Sequence, residues 1–127
     1  MRENQADPIA RIVKLVDAVN HLAALLASAT DASEVRQPMR CFLERAHWKA
    51  KQFEFELRTE LKRLAADSEV ISRAPDGILQ TAFENILERY GQALASHLTA
   101  HARAMITRQF QEMRIAYEEF TALSKAA

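Results

Sequence analysis

The side chains best suited to chemistry in this sequence are histidines that lie three or four positions from another ligand-type residue. Glu44 and His47 form the one Glu-x-x-His pair, the spacing with which helical bundles hold two metal ions. A complete site needs a second such pair and carboxylates from two further helices, and the sequence has no second pair. On a helical wheel Glu44 also points away from the neighbouring apolar residues. A solvated face is therefore the favoured interpretation of Glu44.

A second histidine pair, His97 and His101, is spaced so that one continuous helix would present both imidazoles on one face. Such a pair suits zinc or another divalent metal, but no acidic residue or cysteine lies beside it. The favoured interpretation is that His97 and His101 are polar residues at a helix junction. We expect no cofactor; the alternative is iron or another divalent metal held by Glu44, His47, His97 and His101.

No nucleophile stands out in the sequence. The single cysteine, Cys41, cannot form an internal disulfide, which fits a reducing compartment. Near the start of a predicted helix, an unreactive cysteine is more common than a catalytic one. The sequence contains neither a glycine-rich phosphate loop nor a serine triad signature, so it favours a non-enzymatic protein.

Composition limits the fold class and the partners. The chain has 127 residues, of which 49% are hydrophobic and 27% charged, with only 2 glycines and 3 prolines; this composition favours one helical domain over residues 1–127. Seventeen basic residues balance seventeen acidic ones, which argues against nucleic acid as a partner. The apolar stretch from Ile9 to Ala29 is interrupted by charges, and the first residues lack a signal-peptide core. We expect a cytoplasmic protein that is not inserted in a membrane.

Apolar residues recur at spacings of three and four in four segments, which predicts helices at about 7–28, 35–66, 76–97 and 100–124. Between the last two segments there is no glycine or proline. One helix from Asp76 to Ser124 would be roughly 70 Å long and would have no partner of matching length. We therefore predict a break near Leu98, with Thr99 as the N-cap of the fourth helix. The predicted fold is an all-α, up-and-down four-helix bundle.

Several segments carry a resemblance to a known family: Phe42–Ala46, Phe53–Leu57, Tyr90–Leu94 and Arg108–Tyr117. They resemble a bacterial ferritin-like family of unknown function, whose members have a similar Glu-Arg…Phe…Glu-Leu helix. The likeness covers about Ser33 to Leu123. It implies a ferritin-like four-helix bundle that folds back near Thr99, and it implies no established biochemical activity.

The chain also departs from that family's pattern. Gln80 and Phe83 stand where acidic residues precede the tyrosine of the third helix, and Tyr117 stands where a histidine is common. The linker between the second and third helices is also shorter than in the typical member. These differences argue against a shared metal-linked role.

Apolar residues outside the four core-facing seams indicate an interaction surface. The predicted surface residues are Leu15, Leu22 and Leu25 on the first helix and Cys41, Trp48 and Phe55 on the second. One bundle core cannot bury both sides of the second helix, and large exposed apolar stripes usually mark interfaces. A symmetric homodimer is the simplest partner arrangement. The alternative is that the N-terminal segment or the linker folds over Trp48.

The functional hypothesis is therefore a non-enzymatic bundle that acts through protein–protein contacts, as a homodimer or as a scaffold for another protein. Its main alternative is a metal-binding or redox bundle with a partly degraded site. A weaker one is an accessory domain that binds an acidic partner, because the second helix carries eight Lys or Arg against four Glu. Interleaved charges of this kind more often form a solvated, salt-bridged face.

Overall fold

The computed structural model describes residues 8–32, 35–64 and 77–126, and all regular structure within them is helical. The helices are α1 (Pro8–Thr30), α2 (Gln37–Arg63), α3 (Leu79–Leu94) and α4 (Ala100–Ala126). The prediction of an all-α protein with four helices is confirmed. The N-cap predicted at Asp7 lies outside the described residues.

The break between α3 and α4 is confirmed, and hydrogen bonds rather than glycine or proline stabilise it. The hydroxyl of Thr99 accepts a hydrogen bond from the backbone N–H of Ala102 at 3.1 Å, the geometry of an N-cap. At the end of α3, Arg103 donates to the carbonyl oxygens of Leu94 and Ser96, both at 3.0 Å. These bonds satisfy backbone groups that two helix ends would otherwise leave unpaired.

Replacing Thr99 by alanine should lower the free energy of unfolding by about 1 kcal/mol, because the Ala102 N–H loses its side-chain acceptor. Urea denaturation followed by circular dichroism measures this difference. Thr81→Ala, at an exposed position in the first turn of α3, is the matched control and should leave stability unchanged or slightly raised. Equal effects of the two substitutions would contradict the capping role.

The helices pack in a ring. Helix α1 contacts α2 and α3, and α4 contacts the same two helices. Within the described residues the backbones of α1 and α4 do not approach each other, nor do those of α2 and α3. Helices α2 and α3 are consecutive in the chain and yet lie diagonally opposite in the four-helix bundle.

Side-chain contacts give the direction of each helix. Arg40, near the start of α2, donates to the carbonyl oxygen of Thr30 at the end of α1. Arg11, near the start of α1, donates to the carbonyl oxygen of Gln92 near the end of α3. Both neighbours are therefore antiparallel to α1 and run parallel to each other. The up-and-down order predicted from the sequence is not confirmed, because the consecutive helices α2 and α3 run parallel to each other.

The connection between α2 and α3 makes this order sterically accessible. Helix α2 ends at Arg63 and α3 begins at Leu79, and a connection of that length can reach up to about 50 Å when extended. A two- to five-residue turn, in contrast, would have forced α2 and α3 to lie side by side and antiparallel.

Helix α1 supplies the largest share of the core. Its fully buried side chains are Ile12, Leu15, Val16, Val19, Leu22 and Leu26, and they pack with buried residues of the other helices, among them Phe53, Leu57, Phe83, Ile86 and Ile106. One apolar stripe of α1 contains Ile12, Val16 and Val19, and the other contains Leu15, Leu22 and Leu25. Both are buried because α1 packs closely against both of its neighbours, α2 and α3. The predicted surface role of Leu15, Leu22 and Leu25 is therefore wrong: these residues are core.

By length and composition, α1 is the one described helix that could cross a membrane, and 56% of its most apolar window is buried in the bundle. The core helix of a soluble protein satisfies the same test. This property therefore does not distinguish a helix that spans a membrane from the core helix of a bundle.

Candidate protein-interaction surface

The four weak metal candidates, Glu44, His47, His97 and His101, have different surroundings in the structure. Glu44 is exposed, and the half-buried His47 donates from Nδ1 to the carbonyl oxygen of Ala23 at 3.2 Å. His97 lies in the α3–α4 connection and His101 in the first turn of α4, so the helix break separates them. Among the described residues, no group of three His, Cys, Asp or Glu side chains could hold a metal ion.

The outer face of α2 carries two large exposed aromatic side chains. Trp48 is 71% exposed and Phe55 is 70% exposed, and Cys41 is a free, exposed thiol one heptad before Trp48. We name these three residues the α2 aromatic face. Cover of Trp48 by the N-terminal segment or the linker, the alternative drawn from the sequence, concerns residues outside the described part.

Trp48 is held by its neighbours although most of its surface is exposed. The imidazole of His47 packs edge-on against the indole, with 5.5 Å between ring centroids. Because the same imidazole is bonded to the Ala23 carbonyl oxygen of α1, it gives the indole a fixed support. A side chain that is already restrained loses less conformational entropy on entering an interface.

A row of ion pairs joins α2 to α4 beside the aromatic face. Its members, which we name the ion-pair row, are Arg45–Glu119 at 3.0 Å, Lys49–Glu112 at 2.6 Å and Arg108–Glu56 at 2.9 Å. Two further cations of α2, Arg58 and Lys51, bind Glu54, and Arg63 binds Glu60. Five cations of α2 thus have carboxylate partners within the chain.

At the Arg108–Glu56 pair of the ion-pair row, α2 and α4 leave between them a groove of about 540 Å³, whose surface is mostly apolar. Phe55 lines it from α2, and Ala104 and Met105 line it from α4. Polar and charged residues complete the lining of the groove: Glu56, Thr59, Glu60, Arg63, His101 and Arg108. One of the two exposed aromatic residues therefore lines an apolar depression on the same surface.

A buried polar chain connects the ion-pair row to the core. The hydroxyl of Tyr90 donates to Oε1 of Gln109 at 2.8 Å, and Nε2 of Gln109 donates to Oε1 of Glu56 at 2.8 Å. Glu56 in turn accepts from Arg108. Tyr90 and Gln109 are both fully buried, and burial, reinforced by the nearby charge of Glu56, raises the pKa of Tyr90 well above its ordinary value. The tyrosine is thus a neutral hydrogen-bond donor.

Two of the positions at which the sequence departs from the pattern of the resembling family, Phe83 and Tyr117, belong to an aromatic cluster. Phe83 packs against Tyr117 at 5.7 Å and Phe120 at 5.3 Å between ring centroids. The hydroxyl of Tyr117 donates to Oε2 of Glu84 at 2.9 Å, which raises the pKa of Tyr117. Gln80 also donates to Glu84, at 3.3 Å. An aromatic contact and a shared carboxylate therefore connect these residues.

Comparisons of the chain with protein-family models, curated proteins and solved structures find no match. The ferritin-like resemblance of the sequence stays a prediction.

The Tyr90–Gln109 bond should couple α3 to α4 energetically. Tyr90→Phe leaves the buried Gln109 oxygen without its donor and should cost about 1–3 kcal/mol of unfolding free energy. Gln109→Leu leaves the tyrosine hydroxyl unpaired, so the double variant should be less destabilised than the sum of the singles by about 0.5–3 kcal/mol. Urea unfolding of all four proteins measures this coupling, and strict additivity would contradict it.

Glu54 should make stability fall in acid. Burial by itself raises its pKa, but hydrogen bonds and charge from Arg58 and Lys51 outweigh that effect, so its net pKa lies below 4.5. A folded-state pKa below the unfolded value contributes stability that is complete above about pH 4.5 and is lost as the pH falls through the folded pKa. Glu54→Gln should therefore destabilise most at neutral pH and progressively less towards pH 3.

Thermal unfolding of both proteins between pH 3 and pH 7 tests this dependence. Glu118→Gln, at an exposed position on α4, is the control and should run parallel to the wild type. A gap between wild type and Glu54→Gln that stays constant across this range would contradict the expectation.

Proposed function

We propose that this protein is a non-enzymatic, ferritin-like helical bundle that acts through protein–protein contacts, and that its partner is a second copy of the chain bound across the α2 aromatic face. The exposure of Trp48 and Phe55, about 70% each, carries this proposal. Seven residues apart on a helix, the two rings share one face and can enter one interface together.

The energetic argument rests on the apolar area of the two rings. Fully burying such a side chain is worth about 1.5–3 kcal/mol, and tryptophan is enriched among the residues that dominate binding energy. A monomer leaves both rings in water. Association across this face would remove them from water without any rearrangement of the core.

The ferritin-like part of the proposal is supported by the order of the helices. Two antiparallel pairs, α1 with α2 and α3 with α4, are joined by one long connection. Ferritin-like bundles differ from simple up-and-down bundles through one long crossover of this kind. The resemblance of the sequence points to the same class.

The charge pattern favours an apolar interface over an acidic partner. The excess of basic residues on α2 was the reason to consider such a partner. However, Arg45, Lys49, Lys51, Arg58 and Arg63 each have a carboxylate partner within the chain. An acidic ligand would have to compete with these pairs.

Light scattering after size-exclusion chromatography tests the proposal on the wild type and on Trp48→Glu. We expect the wild type to elute as a dimer and Trp48→Glu as a folded monomer, because the substitution places an unpaired charge in the interface. Ile78→Glu is the matched control, since Ile78 is 69% exposed but lies at the start of α3; it should remain dimeric. A wild type that is monomeric at high concentration would end the proposal.

A further inference from the structure

We infer that the two copies pair antiparallel along α2, so that Trp48 of each copy enters the groove between α2 and α4 of the other. This inference rests on the proposed homodimer and specifies its geometry. It assigns the groove an occupant and makes each groove incomplete without the second copy.

The distance along α2 between Trp48 and the groove supports this arrangement. Trp48 lies one heptad, about 10.5 Å, before Phe55, which lines the groove. A two-fold axis that passes near Gln52 places Trp48 of each copy opposite Phe55 of the other. A two-fold interface repeats every contact, so one such fit fills two grooves.

The groove suits an indole in size and chemistry. Its volume of about 540 Å³ lies within the range of about 300–1,000 Å³ that is typical of ligand pockets in proteins. Phe55, Ala104 and Met105 offer ring, methyl and thioether surfaces. Methionine sulfur in particular contacts aromatic rings favourably.

The charges on this face permit two copies of α2 to approach. Antiparallel pairing of two basic helices would be repulsive if their cations were unpaired. Arg45 and Lys49, which flank Trp48 on the side of α4, are paired with Glu119 and Glu112 of the same chain. The proposed axis passes between Lys51, which is paired with Glu54 of the same chain, and Gln52, which is neutral and exposed.

The available area matches the requirement of a stable dimer. Helices α2 and α4 are each 27 residues long, which is about 40 Å. Two helices side by side are about 20 Å wide, so their common outer face covers on the order of 800 Å². Stable specific interfaces bury about 800 Å² per partner.

Cysteine cross-linking tests the direction of pairing. In the Cys41→Ser/Gln52→Cys variant the two thiols lie near the axis, and a mild oxidant should give a disulfide-linked dimer on a non-reducing gel. In the wild type the two Cys41 thiols would be about 33 Å apart, far beyond the roughly 7 Å limit between bridged Cα atoms, so it should not cross-link. The reverse result, with Cys41 linked and Gln52→Cys not linked, would overturn antiparallel pairing.

Filling the groove tests the insertion of Trp48. Ala104→Phe occupies the space that the indole of the second copy would take, so dimer affinity should fall at least tenfold in sedimentation equilibrium under reducing conditions. Ala122→Phe, at another exposed alanine of α4 about 27 Å away, should keep the wild-type affinity. Circular dichroism confirms that both variants are folded.

The possible outcomes separate this inference from the proposed function. A wild-type dimer that Ala104→Phe leaves intact would show that the groove is not the binding site of Trp48, while the homodimer itself would stand. A monomeric wild type would remove both. We expect Ala104→Phe to lose affinity and Ala122→Phe to keep it. We also expect the Cys41→Ser/Gln52→Cys variant to cross-link.

Discussion

The structure depends on the need of α1 to bury an unusually wide apolar surface. A helix with a single apolar stripe is satisfied by one groove between neighbours, but α1 presents two stripes, and their residues are buried alike. Every helix of the ring has two neighbours, but α1 packs more closely against α2 and α3 than α4 does against the same two helices, and both stripes of α1 are buried in this way. Because each neighbour is antiparallel to α1, α2 and α3 are parallel and diagonal to one another. The long connection between them and the position of α4 follow from that constraint.

Helix α4, at the fourth position of the ring, contributes the fewest buried apolar side chains of the four described helices: Ala102, Ile106 and Met113. Helix α4 meets α2 through the ion-pair row and through Gln109, which is buried and hydrogen-bonded to Tyr90 and Glu56. Polar contacts of this kind require defined geometry, and they fix the register of α4 more closely than apolar packing does. They also bury less apolar surface than an apolar seam does. In the C-terminal half of α2 the two helices leave the groove beside Phe55. The contact between α2 and α4 is thus polar on its inner side and leaves a groove on its outer side.

Sequence periodicity predicted the parts of this fold that depend on local chemistry. It predicted the four helices and, from the improbable length of a single rod, the break at Thr99. It also predicted which side of α2 would be left with Trp48 and Phe55. Periodicity does not report how closely the neighbours of a helix pack against it, and for that reason it wrongly places Leu15, Leu22 and Leu25 on a surface. It does not report helix direction either, and the predicted up-and-down order is not confirmed.

The buried position of Gln109 shows a different limit. The apolar seam of the last helix fits either Phe110 or Gln109 at that point, and hydrophobicity alone favours the phenylalanine. The structure buries Gln109 fully and leaves Phe110 half-buried, because Tyr90 and Glu56 supply hydrogen-bonding partners on the two neighbouring helices. A polar residue at a seam position is a signal of such a network, but its partners are distant in sequence and cannot be identified without the fold.

The core and the aromatic face are physically separable. The core buries aromatic and aliphatic side chains from all four helices, and none of the α2 aromatic face contributes to it. A chain that completes its core alone does not need a partner in order to fold, in contrast to dimers whose monomers are unfolded. Association through Trp48 and Phe55 would then be an equilibrium between folded species, set by protein concentration and not by folding. An interface of this kind would be open to regulation or to exchange for another partner without loss of the bundle, as the proposed function requires.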